Sequence, residues 1–569
     1  MSSLSTSTDY DAKQLDSLVN QKAKMTFRSK EWINIPDQTA NSYSSNKIKF
    51  NGLELANNSK YVCWNEAFIT FGVNAVLQST APLRSDGTVL DYPSSLTFKG
   101  AGSECLIESV LVKIGTKNVT NNTSFNNILN HYRKIIDYSR EKGKFMTPTT
   151  IWALDDPSSI QVCIDDDDAL VQVINNRVSP VLPTSPLTTN YNSMLSQYND
   201  GLYQRALITS VQPYPTQGSN PLTGLVTQDD YTTIARNFCS LIPPSGNATS
   251  SVLQYNMVCI LKLSELHDIF AQLNFPISNL SVYIELSLNV GNAVFEPKNG
   301  LTNQSHSVES SNFIGSSCPL MLTDVGFNAL SPNSGGEKSE IIVKVNSPIS
   351  TSNGNRLECV RTNCLLYIPS VVLNPSSEEE IRAQPQKVVK YWDFQSQEKT
   401  ELKSGGSLQF IPTTGISNLK RVWLIPYYSA SNFTNGITPS RNPKCAEPYL
   451  PSPQGYINNF NILLNGRTFF NEAHQYSYQT FLQNTMDEMF DGGENPFFSA
   501  GLYTQKDFDQ APFYCVNVER NPAILSADIP CSISFSGSNG SLLNMDYLCL
   551  MEYEQTITLD RSGAKTLVL

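Results

Sequence analysis

Histidine is scarce in this sequence, charge is low, and no long apolar run occurs. Four histidines, His131, His267, His306 and His474, stand among 569 residues. No two share a metal-ligand spacing, and no HExxH, Gly-rich phosphate loop or GxSxG elbow is present. A Ser or Cys nucleophile needs a base in space, and so few histidines leave few candidates. No catalytic residue, metal ligand or cofactor is therefore expected. The histidines in or beside predicted helices, His131, His267 and His474, read as helix-surface residues. Charged residues make up only 16%, whereas helix-rich chains fill exposed helix faces with Glu and Lys. No run of 18 apolar residues exists, so no membrane-spanning helix is expected. The opening MSSLSTSTDYDAK lacks the apolar core of a signal peptide. Twelve cysteines are spread along the chain without a CxxC. That is too sparse for a disulfide scaffold, and they read as small buried hydrophobes of a protein made in reducing surroundings.

Basic charge is also short, with 40 Lys and Arg against 51 Asp and Glu, a net charge of −11. Sequence-specific nucleic-acid binding is not expected, because phosphate contacts need clustered cations. Two basic clusters stand out. Lys22, Lys24, Arg28 and Lys30 lie in a polar N-terminal arm that could face a genome or a membrane. Arg133, Lys134, Arg140, Lys142 and Lys144 lie on and after a predicted helix and read as solvated surface. The acidic run Asp165–Asp168 lacks the spacing of a calcium loop and reads as a solvated loop end.

What is present is a chain of alternating strands. In Ser281–Asn289, Val282, Ile284, Leu286 and Leu288 share one face. The same period of two recurs in Lys47–Phe50, in Ile341, Val343 and Val345, in Cys531, Ile533 and Phe535, and in Met551, Tyr553, Ile557 and Leu559. Pro, Gly, Asn and Ser clusters separate the strands, the pattern of β-sandwiches rather than of βαβ units. Helices are few and short. Ser124–Tyr138 spaces Phe125, Ile128, Leu129, Tyr132, Ile135 and Ile136 along one face, and His474–Phe490 carries a similar stripe.

The order of elements repeats. Strand Leu106–Ile114, Gly115, a polar loop and helix Ser124–Tyr138 correspond to strand Ile457–Leu464, Gly466, a polar loop and helix His474–Phe490. Strand Asn256–Leu263, Pro276 and the strand from Ser281 correspond to strand Phe513–Val518, Pro530 and the strand from Cys531. A duplicated sandwich is expected. It has an arm at 1–40, a first half at 41–305, a second at 306–569, and a boundary in the polar stretch 299–316.

Specific segments point further. Leu96-Thr-Phe-Lys-Gly-Ala-Gly-Ser-Glu-Cys-Leu-Ile107, continuing through Val110 to Gly115 and on to Asn126-Asn127-Ile128, resembles the first jelly roll of virophage and polinton-like virus major capsid proteins. Leu261–Phe270 with the strand Ser281–Asn289 is similar to its closing element. Gln386–Asp393, Ile457–Gly466, Ser499–Tyr503 and Val518–Asn521 are similar to the second jelly roll. The likeness covers roughly residues 45–565. It implies an all-β fold of two tandem jelly rolls. It also implies homotrimers of pseudo-hexagonal outline that tile an icosahedral shell around double-stranded DNA, with penton and minor capsid proteins as partners and the virion as location. Family members have no catalytic residues to carry over. Some have a cleaved C-terminal extension, whereas only ten residues follow Leu559 here. The rival reading is a carbohydrate-binding or carbohydrate-active sandwich, since jelly rolls serve lectins and glycosidases too.

Overall fold

The computed structural model describes residues 27–39, 46–52, 61–79, 96–121, 123–138, 150–154, 205, 239–242, 251–278, 280–297, 306–311, 318–322, 339–350, 356–359, 361, 363–383, 386–412, 415–429, 431, 455–471, 475–485, 501–519, 530–560 and 566–567. Sixteen strands form the frame. The first eight are β1 (Phe27–Pro36), β2 (Lys47–Asn51), β3 (Phe68–Ser79), β4 (Ile107–Ile114), β5 (Lys117–Asn118), β6 (Ser251–Lys262), β7 (Val282–Leu288) and β8 (Leu365–Leu373). They make two sheets, in the orders β1-β8-β3-β6 and β2-β7-β4-β5.

The second eight are β9 (Gln386–Leu402), β10 (Ser407–Phe410), β11 (Leu419–Tyr428), β12 (Ile457–Leu464), β13 (Arg467–Thr468), β14 (Tyr514–Asn517), β15 (Ile533–Asn539) and β16 (Met545–Asp560). Their sheets run β9-β16-β11-β14 and β10-β15-β12-β13. Adding eight to each label of the first half gives the second half. Two eight-stranded, two-sheet units of the same order are two jelly rolls. The repeat read around Gly115 and Gly466 is thus a repeat of topology.

Period-2 burial closes each sandwich. In the first, Ile69, Phe71 and Val73 of β3 face Ile48 and Phe50 of β2 and Ile284 and Leu286 of β7 in one core. In the second, Trp423 of β11 and Leu548 and Leu550 of β16 pack with Phe460 and Ile462 of β12 and Phe535 of β15. Each such side chain contributes about 1.5–3 kcal/mol by leaving water.

Three expectations are corrected. Strand pairing does not change partners at 299–316. The strands His306–Ser311 and Ser339–Val345 extend the first sheet through Gly291–Pro297 and β3, and β8 belongs there too. The change falls between Leu373 and Gln386, across helix Pro375–Ala383. The reason is an insertion between β7 and β8, one of whose strands, Ser339–Val345, carries the same alternation as the frame. The arm expected over 1–40 is also shorter, because residues 27–36 pair antiparallel with β8. Only Ile33 and Ile35 turn inward there, too brief an alternation to read between charged neighbours. Finally, the helix expected from His474 begins at Tyr478 and is described to Thr485, and the rest of the expected span, 486–490, lies outside the described residues.

The β12–β13 turn has positive φ at both centre residues, Asn465 (50°) and Gly466 (77°), as a two-residue hairpin of primed type requires. Gly466→Ala should lower stability by about 1–2 kcal/mol, because a Cβ disfavours this backbone region. A shift of the denaturation midpoint, absent for alanine at an exposed negative-φ position, checks it.

Candidate functional site

The described residues concentrate their buried chemistry where the two sandwiches meet. Helix α1 (Asn126–Asp137) leaves the first jelly roll after β5, yet Ile128, Leu129, Tyr132, Ile135 and Ile136 pack into the core of the second. Tyr132 meets Phe513 edge-on at 4.9 Å. The Leu502 amide donates to Ile135 O at 2.8 Å. Gly501 takes φ 65° there, and any Cβ would lie 2.3 Å from that same carbonyl. The apolar stripe read from the sequence is therefore a strap between halves.

Charge completes the strap. Glu552 of β16 stands directly opposite Arg421 of β11 and is fully buried. Its carboxylate accepts from Arg421 Nε at 2.5 Å, from Trp423 Nε1 at 2.7 Å and from Arg133 of α1. The Arg421 guanidinium lies 5.0 Å from the Trp392 ring and 4.9 Å from Trp423, a cation held against aromatic faces. Burial alone would raise the Glu552 carboxyl. Arg133 and Arg421 outweigh burial and hold it at about 2.

A second cluster has the opposite balance. Lys134 bonds the buried Glu104 and lies 3.7 Å from Glu265. Burial pushes Glu104 up to about 7 despite the lysine, and Glu265 adds to the rise. Arg133 and Lys134, read as solvated surface, are thus ion-paired within the protein. Residues Arg140, Lys142 and Lys144 lie outside the described residues, as does the Asp165–Asp168 run.

Two histidines also depart from expectation. His131 is buried and accepts from Trp152 Nε1 at 2.9 Å. Burial, with Arg205 and Lys134 nearby, keeps it well below the usual imidazole range, so it is neutral. His267 is buried as well. Its Nδ1 accepts from the Ile269 amide at 3.2 Å, and its Nε2 faces Asp393 Oδ1 at 3.6 Å. Asp393 belongs to β9 and also accepts from Tyr553 Oη at 3.2 Å and from the Asn121 amide at 3.1 Å. One imidazole nitrogen thus caps the helix Asp268–Gln272, and the other faces the seam. Tyr391 Oη donates to Val119 O at 2.7 Å, and the Trp392 amide to Asp268 Oδ2 at 2.8 Å, across the same seam. His474 and the His306 side chain lie outside the described residues.

Thiol chemistry is suppressed. Nine cysteines whose side chains are described are buried. Burial pushes Cys105 and Cys259 to about 12 and Cys318 to about 11, far from the thiolate form that attacks or binds metal. Among the described residues no group of three or more His, Cys, Asp or Glu is placed to hold a metal ion, and no helix is long and apolar enough to cross a membrane.

Of the basic arm, Lys22 and Lys24 lie outside the described residues. Arg28 and Lys30 are exposed on β1. Lys30 pairs with Glu66 and sits 5.8 Å from the Trp32 ring centre. The seam residues Glu552, Arg421 and Asp393 were not singled out by sequence reasoning. Their signal was a charged residue at an otherwise apolar strand position, as with Arg421 beside Val422, Trp423 and Leu424.

No family model and no curated protein sequence matches the chain. Solved structures do. A chain in the 3.5 Å cryo-EM structure of the Sputnik virophage matches with TM-score 0.52 and 13% identity, over 96% of this chain and 90% of that one. The mavirus major capsid protein gives 0.46 and 10%, over 96% and 93%. The Faustovirus major capsid protein gives 0.44 and 9%, over 95% and 92%. Of these three the first carries the likeness: this chain and the Sputnik chain share the double jelly-roll fold over 96% of this chain and 90% of that one.

Glu552→Ala should cost about 3–5 kcal/mol, because two guanidinium groups lose their buried counter-charge. Denaturant titration checks this against Glu554→Ala on the same strand. The two carboxylates should pull stability in opposite directions with pH. Glu552 has a lowered pKa, so its contribution is full above its ordinary value of 4.5 and fades as pH falls toward about 2. Glu104 has a raised pKa, so its contribution is full below 4.5 and fades as pH rises through about 7. Glu104→Gln should therefore gain on the native protein across that interval. Parallel pH–stability curves for the two proteins would contradict the assignment.

Proposed function

We propose that this chain is a major capsid protein, the repeating subunit of a virus shell. The observation that carries the reading is the double jelly roll shared over 96% of the chain with a chain of the Sputnik virophage. The physical features agree with a structural rather than a catalytic task. The buried histidines, thiols and carboxylates are committed to packing and to the seam. The chain carries two rigidly joined sandwiches, which we take as about residues 27–373 and 386–567.

In this reading three copies make a homotrimer. Each copy offers two sandwiches, so six lobes give the pseudo-hexagonal outline that tiles an icosahedral shell around double-stranded DNA. Penton and minor capsid proteins fill the remaining positions of the virion. The basic residues Lys22, Lys24, Arg28 and Lys30 face the interior of the particle, toward DNA or anionic lipid. No enzymatic step is assigned to the chain. The exposed edge strand β1, bearing Phe27 and Trp32 on its surface, is the kind of edge that a monomer must protect and an assembly covers.

Mass measurement of the purified protein in mild buffer should give about three times the 63.1 kDa of the chain, since obligate interfaces bury on the order of 2,000–5,000 Å². A folded monomer across micromolar concentrations would overturn the capsid reading and favour a carbohydrate-binding sandwich. Glycan binding by that monomer, abolished by a surface substitution, would establish the alternative.

A further inference from the structure

Where glycine follows asparagine, the backbone nitrogen can attack the asparagine side chain, because glycine has no Cβ to crowd the approach. Three such pairs fall among the described residues: Asn51-Gly52, Asn465-Gly466 and Asn539-Gly540. Further pairs at Asn299, Asn353 and Asn435 lie outside the described residues. The fold treats the three differently. Gly52 is buried, and its amide donates to Val282 O at 2.8 Å. The Gly540 amide donates to Tyr456 O at 3.0 Å. Asn539 is buried, and its Nδ2 donates to Leu543 O at 2.8 Å and to Leu402 O and Lys403 O at 3.2 Å. In both pairs the attacking nitrogen is spent on a hydrogen bond, and in the second the leaving nitrogen is held as well. Asn465 and Gly466 instead form the exposed centre of the β12–β13 turn. The Gly466 amide takes part in no hydrogen bond among the described residues, and the space beside its Cα is open to 4 Å. Asn465 Oδ1 accepts from the Ser532 backbone amide at 2.8 Å. The Asn465 amide donates to Ser532 O at 2.9 Å, so the two residues bracket each other.

We propose that Asn465 is a self-modification site, at which the Gly466 nitrogen closes on the side-chain carbon and the residue becomes isoaspartate or aspartate. Hydroxide removes the Gly466 amide proton, and the nitrogen attacks Asn465 Cγ. Negative charge gathers on Oδ1, where the Ser532 N–H already points, as a donor in an oxyanion hole does. The Cγ–Nδ2 bond then breaks, Nδ2 takes a proton from water and leaves as ammonia, and a cyclic succinimide remains. Water opens that ring at either carbonyl. Opening at one gives aspartate, and opening at the other gives isoaspartate, whose backbone runs through the side-chain carbon. Water enters, ammonia leaves, and nothing is oxidised or reduced. Isoaspartate lengthens the turn by one bond, which a two-residue hairpin of primed type does not accommodate. Aspartate adds a negative charge at the same place. Because β13 is the edge of its sheet, the change stays at the hairpin and leaves the pairing of β12 with β15 in place.

Peptide mapping by mass spectrometry, after the purified protein has stood in mildly alkaline buffer, reads the site. Each conversion adds one mass unit, and the isoaspartate and aspartate peptides separate on the chromatogram. In the native protein Asn465 should convert severalfold faster than Asn51 and Asn539, and in urea the three rates should converge. Ser532→Pro lacks the amide proton and should slow Asn465 about tenfold, the factor that one hydrogen bond of ordinary strength gives a barrier. Ser532→Ala keeps that proton and should leave the rate unchanged. If Ser532→Pro folds poorly, the ranking of the three sites in the native protein decides. Equal rates at the three sites in the native protein would overturn the proposal. So would a ranking that persists unchanged in urea, or an unaltered Asn465 rate in folded Ser532→Pro protein.

Discussion

One carboxylate, that of Glu552, ties the molecule together. It lies on the strand of the longest pairing of the second jelly roll and is gripped by a cation from its own sheet, Arg421, and by one from the helix that the first jelly roll sends across, Arg133. Two sandwiches joined by a linker alone would rock, since interfaces between domains default to relative motion. Here helix α1 belongs by sequence to one half and by packing to the other. A buried ion pair contributes little net stability compared with apolar packing, but misplacing one partner costs several kcal/mol. The consequence is a fixed register between the halves. That is what a subunit must have if its two lobes are to meet different neighbours at set angles.

The duplication shows what was conserved in topology and what was free to vary. Both halves keep the same strand order, the same glycine turn after the fourth strand and a helix after the fifth. The first helix straps the halves, whereas the second, Tyr478–Thr485, stays with its own core through Phe481 and Phe513 at 5.0 Å. The first half also accepts an insertion between its last two frame strands, which widens its large sheet. Such insertions are tolerated because they add at an existing strand, β3, without disturbing the facing sheet.

Much of the fold was legible because period-2 burial writes itself into sequence. Ile48 with Phe50, Ile341 with Val343, and Cys531 with Ile533 are all buried as their alternation implies. The change of sheet partners was not legible, because the strand His306–Ser311 reads as a polar loop and Ser339–Val345 alternates like a frame strand. The seam was legible only in part. The stripe on α1 announced a buried helix face, but Arg133 and Lys134 beside it looked solvated. Their carboxylate partners, Glu552 and Glu104, are 419 and 30 positions away. Local pattern carries no trace of pairs that the fold brings together. The same holds for His131 and His267, whose partners Trp152 and Asp393 come from other elements.

The central claim is that two jelly rolls are locked into one rigid unit, the unit proposed above to build a shell. Single-particle electron microscopy of the purified protein tests it most directly. The account predicts threefold particles with six sandwich lobes, the two lobes of each copy held at one angle throughout the population. Single copies whose two lobes take a spread of angles would contradict it.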